Sequence, residues 1–239
     1  MERAAGGGTP GGIDVDAATW SRQRRILGEG GQRKLADASA MVIGCGGLGA
    51  GAIPALVASG VCRVTLLDDD VLDASNLNRQ TLFTTADLGA PKVERAAARM
   101  RELAPHCSIT ALWRRLTVDD AALVRGHDVV LDCTDRLASR QAISACCAGA
   151  GVPWVWAGVD GWTAVLSVFL PGGRSWEEVV GTTVDATTPP DVLGATPAVA
   201  GAWQAAEAVK LLTGVGTGLA GRLAVLDLLA GRVDLLDLA

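Results

Sequence analysis

Short apolar runs alternate with longer helical stretches through the first two thirds of the chain. Ala40 to Ile43, Arg63 to Leu67, 108 to 113, 128 to 132 and 153 to 157 read as buried strands. Between them, Ala50 to Ser59, 92 to 103, 119 to 124 and 137 to 149 have helical composition. Strands separated by helices need crossover connections, and these build a parallel sheet covered on both faces. The pattern therefore predicts an α/β fold: a Rossmann-like, mostly parallel sheet with helices on both faces. Upstream, Arg22 to Ala38 mixes Ile26 and Leu35 with many charges, which predicts two short exposed helices interrupted by Gly30 and Gly31.

The last third changes character. Trp162 to Leu170 follows Val155 to Val159 too closely for a helical crossover, so a hairpin and an antiparallel C-terminal extension are expected. Residues 171–196 carry Gly172, Gly173, Pro189 and Pro190 with little apolar periodicity, and read as a long surface crossover loop rather than a packed element. Ala198 to Leu212 is helical in composition, with Val199, Trp203, Ala206 and Val209 at helical spacing, and the runs 222–228 and 232–238 close the chain. The glycine-rich residues 1–18 are expected to form a mobile tail, and 19–239 a single domain.

Composition narrows the class of function. A length of 239 residues, nearly half of them hydrophobic, suits one large globular domain. A net charge of -5 without a block of Lys or Arg argues against nucleic acid as a partner. The sequence shows no long charge-free apolar stretch and no secretory signal, so a cytoplasmic protein without a membrane partner is expected. The six cysteines form no CxxC pair and read as buried, reduced thiols.

Candidate chemistry begins at Gly44-Cys45-Gly46-Gly47-Leu48-Gly49, a GxGxxG pattern after a predicted strand and before a helix. Glycines there permit a tight turn and close approach of the backbone, while the free N–H groups of the following helix attract phosphate. Asp68 ends the next strand nineteen residues beyond Gly49, where a carboxylate accepts hydrogen bonds from ribose. ATP and NAD fit these features equally well. Asp69 and Asp70 adjoin it, and three neighbouring carboxylates repel unless a sugar, cation or basic side chain shares the site.

Further on come Ser75-Asn76-Leu77-Asn78-Arg79-Gln80, the pair Pro91-Lys92, and Asp132-Cys133-Thr134-Asp135. The ordered set GxGGLG, LLDxD, SNLxRQ, PK and DCTD resembles the ThiF/MoeB/HesA family of E1-like adenylyltransferases, from Trp20 to about Ala230. The resemblance implies an ATP- and Mg²⁺-dependent, homodimeric enzyme that adenylates the C-terminal carboxylate of a small ubiquitin-like sulfur-carrier protein ending in Gly-Gly. It implies that the backbone of Gly44, Gly46 and Gly47 approaches the phosphates and that Asp68, with Asp70, holds the ribose. Arg79 and Lys92 would hold the triphosphate, with Asn76 helping to place it, and Asp135 would sit close to Mg²⁺. Trp20-Ser21-Arg22-Gln23 is similar to an N-terminal family element whose arginine reaches the partner subunit's site, which would make Arg22 catalytic across the dimer.

The chain departs from the family in three places. It lacks the two CxxC pairs that hold structural zinc in many relatives; the first would fall near Arg174-Ser175-Trp176-Glu177-Glu178, so no structural zinc is expected. Residues 171–200 contain no cysteine for covalent capture, and Thr187 lies near its expected place. Arg136 stands where the family commonly has Asn, and there an arginine could clash with the adenine or stack upon it.

Overall fold

The computed structural model describes residues 18–181 and 191–238. In chain order these form α1 (Arg24–Asp37), β1 (Ser39–Ile43), α2 (Gly47–Ala58), β2 (Arg63–Leu67), α3 (Lys92–Leu103), β3 (Ser108–Leu112), α4 (Ala121–Val124), β4 (Val129–Asp132) and α5 (Leu137–Ala150). There follow β5 (Trp154–Asp160), β6 (Thr163–Phe169), α6 (Trp176–Val180), α7 (Ala195–Thr213), β7 (Arg222–Asp227) and β8 (Arg232–Asp237). The strands make one sheet in the order β3-β2-β1-β4-β5-β6-β7-β8. β3 to β5 along this order run parallel, and β6, β7 and β8 are each antiparallel to the strand before them. The mostly parallel α/β sheet with an antiparallel extension is therefore present.

The side-chain period of two divides each central strand between two cores. In β1, Ala40 and Val42 face a core shared with α2, α3 and α7, whereas Met41 and Ile43 face one shared with α5 and α6. All five residues of β1 are buried, as expected of a strand covered on both faces.

Two local expectations are corrected. The break in α1 lies at Gly28, with φ 70°, and the helix continues through Gly30 and Gly31; only a residue without Cβ takes that conformation cheaply. The supposed surface connection contains a packed element: Ser175 caps α6 by accepting from the Glu178 amide, Glu177 accepts from Ser144 Oγ, and Trp176 is buried at 1% exposure. Thr187 lies outside the described residues.

The helix expected over Ala198 to Leu212 is present as α7. Its buried face carries Ala200, Gly201, Gln204, Ala205, Glu207 and Ala208, while Val199 and Ala206 are exposed. Close approach decides this face. A Cβ on Gly201 would stand 2.1 Å from the Leu48 carbonyl oxygen, and one on Gly51 would stand 2.4 Å from that of Ala198. The α2 and α7 backbones thus touch through glycines, while Trp203, Val209, Leu211 and Leu212 pack partly buried against the core and Val199 faces outward. Glu207 is held inside by Lys210, Trp203 Nε1 and the Leu219 amide.

Candidate active site

A cavity of about 550 Å³ opens at the C-terminal ends of the parallel strands. After β1 the chain moves outward to β2 and β3, then crosses to β4 on the other side of β1. That reversal separates the two strand ends and leaves a crevice, the usual ligand position in open α/β sheets. Gly44, Gly46 and Gly47 line it from β1, Asp68 from β2, and Thr134 and Asp135 from β4.

The glycine loop is set by steric limits. Gly44 has φ 98°, and a Cβ there would lie 2.5 Å from the Cys133 carbonyl oxygen at the end of β4. A Cβ on Gly49 would meet the Gly44 carbonyl oxygen at 2.4 Å. Gly46 and Gly47 begin α2 with no side chain capping its first turn. Backbone N–H groups at this helix start are available to an anion.

Asp68 braces this loop. Its Oδ2 accepts from the Cys45 amide at 2.6 Å, and its Oδ1 accepts from the Asp70 amide at 2.7 Å. Burial raises the Asp68 pKa, opposed by these two amides and by Lys92. Basic side chains share the acidic turn: Lys92 Nζ lies 3.1 Å from Asp70, and Arg115 lies 2.6 Å from Asp69. Arg136 spans the same turn, 4.0 Å from Asp69 and 3.7 Å from Asp70. The acidic turn therefore draws the Arg136 guanidinium toward itself.

The fold brings most of the sequence-derived residues together. Arg79 and Lys92 line the cavity, as do Asp135 and Asp70. Arg79 Nη1 donates to the Ser75 carbonyl and to Asn78 Oδ1, which fixes the base of the guanidinium. Asn76 is absent from the cavity wall; its Oδ1 accepts from the Asp73 amide and closes the short turn that carries Arg79. Asp135 owes its position to Asp132, whose Oδ1 accepts from both the amide and hydroxyl of Thr134.

Arg22 stands apart. Trp20 Nε1 donates to the Ala58 carbonyl, and Gln23 Nε2 donates to those of Ser59 and the Gln32 side chain. Trp20 and Gln23 thus fasten the segment to the C-terminal end of α2 and leave Arg22 exposed. The glycine loop is at the other end of this 12-residue helix, about 18 Å away.

Comparison with known proteins gives this assembly its context. The model of the ThiF family matches residues 20–239. The chain belongs to the ThiF family. It is 39% identical to the sulfur carrier protein ThiS adenylyltransferase of Escherichia coli, covering 90% of this chain and 88% of that one. It is 37% identical to the adenylyltransferase and sulfurtransferase MOCS3 of Drosophila grimshawi, covering 89% of this chain and about half (49%) of that one. The E. coli MccB structure with AMPCPP and MccA shares the fold, with a TM-score of 0.83 at 21% identity over 94% of this chain and 72% of that one. As a ThiF family member the protein is an adenylyltransferase. Among the described residues no helix is long and apolar enough to cross a membrane.

Within this ThiF-family site, three lining side chains escaped the sequence reading. Gln80 is buried at 4% exposure, with Nε2 3.6 Å from where a Gly46 Cβ would stand. Arg140 lies over the Trp156 ring at 5.7 Å and donates to the Thr134 carbonyl. Arg115 follows β3, too far along the chain from the motifs for local pattern to reveal it. Two of them left a signal: Gln80 closes the SNLxRQ motif, and Arg140 lies four residues after Arg136 and hence on the same helical face.

Proposed function

We propose that this enzyme adenylates the C-terminal carboxylate of a small ubiquitin-like sulfur-carrier protein, with ATP as the nucleotide donor and Mg²⁺ as the metal. The observation carrying this reading is the convergence of the glycine loop, Arg79, Lys92 and Asp135 on one cavity at the strand reversal. Family membership favours ATP over a nicotinamide dinucleotide, and the E. coli relative, named for ThiS, supports a sulfur-carrier substrate.

The residues suit that chemistry. A carboxylate oxygen bonds to the α-phosphorus while the bond to the β-phosphate oxygen breaks, giving an acyl adenylate and pyrophosphate. Two anions must approach, and the leaving group gathers negative charge, so preorganised positive groups provide most of the assistance. The amides of Gly46 and Gly47 would receive phosphate oxygens. Lys92 and Arg79 would hold the triphosphate, with Lys92 oriented by Asp70. Asp68 and Asp70 would face the ribose, and Asp135 would be the protein carboxylate nearest the metal. Bound Mg²⁺ would neutralise phosphate charge. No protein nucleophile is needed.

The same reading makes the enzyme a homodimer in which Arg22 completes the partner's site. Support comes from the anchoring of Trp20 and Gln23 at the helix end remote from the protomer's own glycine loop. A soluble, cytoplasmic setting accords with a carrier-protein substrate.

ATP–pyrophosphate exchange with purified protein, Mg²⁺ and a panel of Gly-Gly carrier proteins, peptides and small acids tests the proposal. Exchange dependent on a carrier supports it. Exchange with only a peptide or small acid replaces the substrate but keeps the chemistry, whereas ATP binding without any exchange refutes the adenylation reading for the substrates tested.

A further inference from the structure

We propose that Cys62, His106 and Cys107 form a binding site for a thiophilic divalent cation of the Zn²⁺ class. This inference is independent of the adenylation reading, because the three residues lie at the opposite end of the sheet. Cys62 immediately precedes β2 and Cys107 immediately precedes β3, whereas the nucleotide cavity lies beyond the C-terminal ends of those strands. Five residues of strand separate the two sites by about 17 Å.

The strand register brings the ligands together. β2 and β3 pair in parallel from Arg63↔Ser108 onward, so Cys62 and Cys107 occupy the preceding register position and face the same side. The Ser108 amide donates to the Cys62 carbonyl at 2.7 Å, and the Cys107 amide donates to that of Ala104, which fixes both backbones. The two Sγ atoms are 2.7 Å apart, and His106 completes a group with one ligand atom from each residue, all within 4.8 Å of one another. Sequence spacing gave no hint of this set, because Cys62 is 45 residues from Cys107.

The donor set selects the class of ion. Two thiolates and an imidazole suit Zn²⁺ and similar borderline-soft cations, and disfavour Mg²⁺ and Ca²⁺, which take oxygen. Around a tetrahedral Zn²⁺ two thiolate sulfurs stand about 3.8 Å apart, so the present contact opens by about 1 Å on loading. The two thiols release their protons to solvent as the ion binds. The fourth position is left to water or an added ligand. His106 is exposed and meets Trp20 edge-on at a centroid distance of 5.4 Å, so the site lies beside the segment that presents Arg22.

The test uses the full chain, reduced and kept anaerobic, titrated with Co²⁺ and then Zn²⁺. One equivalent of Co²⁺ should bind with a thiolate charge-transfer absorption that Zn²⁺ abolishes. Cys62→Ser and Cys107→Ser should lose that absorption, and His106→Ala, at an exposed position, should weaken binding at least about tenfold without changing circular dichroism or ATP–pyrophosphate exchange. An unchanged Co²⁺ spectrum in both Ser variants, or unchanged affinity in His106→Ala, overturns the proposal. So does a reduced protein that takes up no cation and yields only a Cys62–Cys107 disulfide in air.

Discussion

The carboxylate of Asp68 holds the amide of Cys45 at 2.6 Å, tying the end of β2 to the middle of the glycine loop. One side chain thereby shapes the glycine loop while lining the cavity. Asp68→Ala removes the acceptor for both the Cys45 and Asp70 amides. ATP affinity, measured by calorimetry, is expected to fall about tenfold or more, equivalent to at least about 1.4 kcal/mol. Wild-type affinity in this variant would show that the loop holds its shape unaided.

Arg79→Ala and Asp135→Ala are expected to lower the rate of exchange by at least about a hundredfold, with an unchanged unfolding midpoint. Mixing Arg79→Ala with Arg22→Ala protein then tests sharing across subunits. If Arg22 acts on the partner, each mixed dimer has one intact site, and equal mixing restores about a quarter of wild-type activity. If Arg22 acts within its own protomer, mixing restores nothing.

Asp132 is fully buried, and its Oδ2 has no hydrogen-bond partner. Burial raises its pKa from 3.8 to about 6, against the attraction of Arg140 and the Thr134 hydrogen bonds. A raised carboxyl pKa means that the folded state binds the proton more tightly. Its favourable contribution is present below pH 4, is lost as pH rises through about 6, and stays lost above. Asp132→Asn should therefore gain on the wild type by about 2 kcal/mol between pH 4 and pH 7, read from urea unfolding at each pH. A constant difference across that range would count against a perturbed Asp132.

Gly201→Ala places a methyl 2.1 Å from the Leu48 carbonyl oxygen and 2.8 Å from the Ala52 nitrogen. Both neighbours are backbone atoms of α2 and move only if the helix moves. A loss of about 1–3 kcal/mol is expected, visible as a lower urea midpoint. An unchanged midpoint would mean that the helix pair separates without cost.

Much of this architecture was legible from pattern. The five parallel strands and the β5–β6 hairpin follow from apolar runs and the lengths between them, because those lengths decide whether a crossover fits. The glycine loop and the acidic strand end were equally clear, since their motifs are local. What escaped depended on distant contacts. The close approach of α7 to α2 at Gly201 and Gly51 is one such contact. The helix around Trp176 hid in a glycine- and proline-rich stretch, and no local signal places Arg115 or the Cys62–Cys107 pair.

The crossing of α2 and α7 also decides which fragments contain a whole cavity. Pro197, at the start of α7, stands 3.1 Å from a Cβ position on Gly47, and Gly194 packs against the backbone of Asn78 and Arg79. One wall of the pocket is thus supplied by chain about 150 residues after the glycine loop. A fragment ending at β6 retains every nucleotide motif, yet its pocket is open on the α7 side. Ribosomal synthesis therefore completes the motifs well before it completes the pocket.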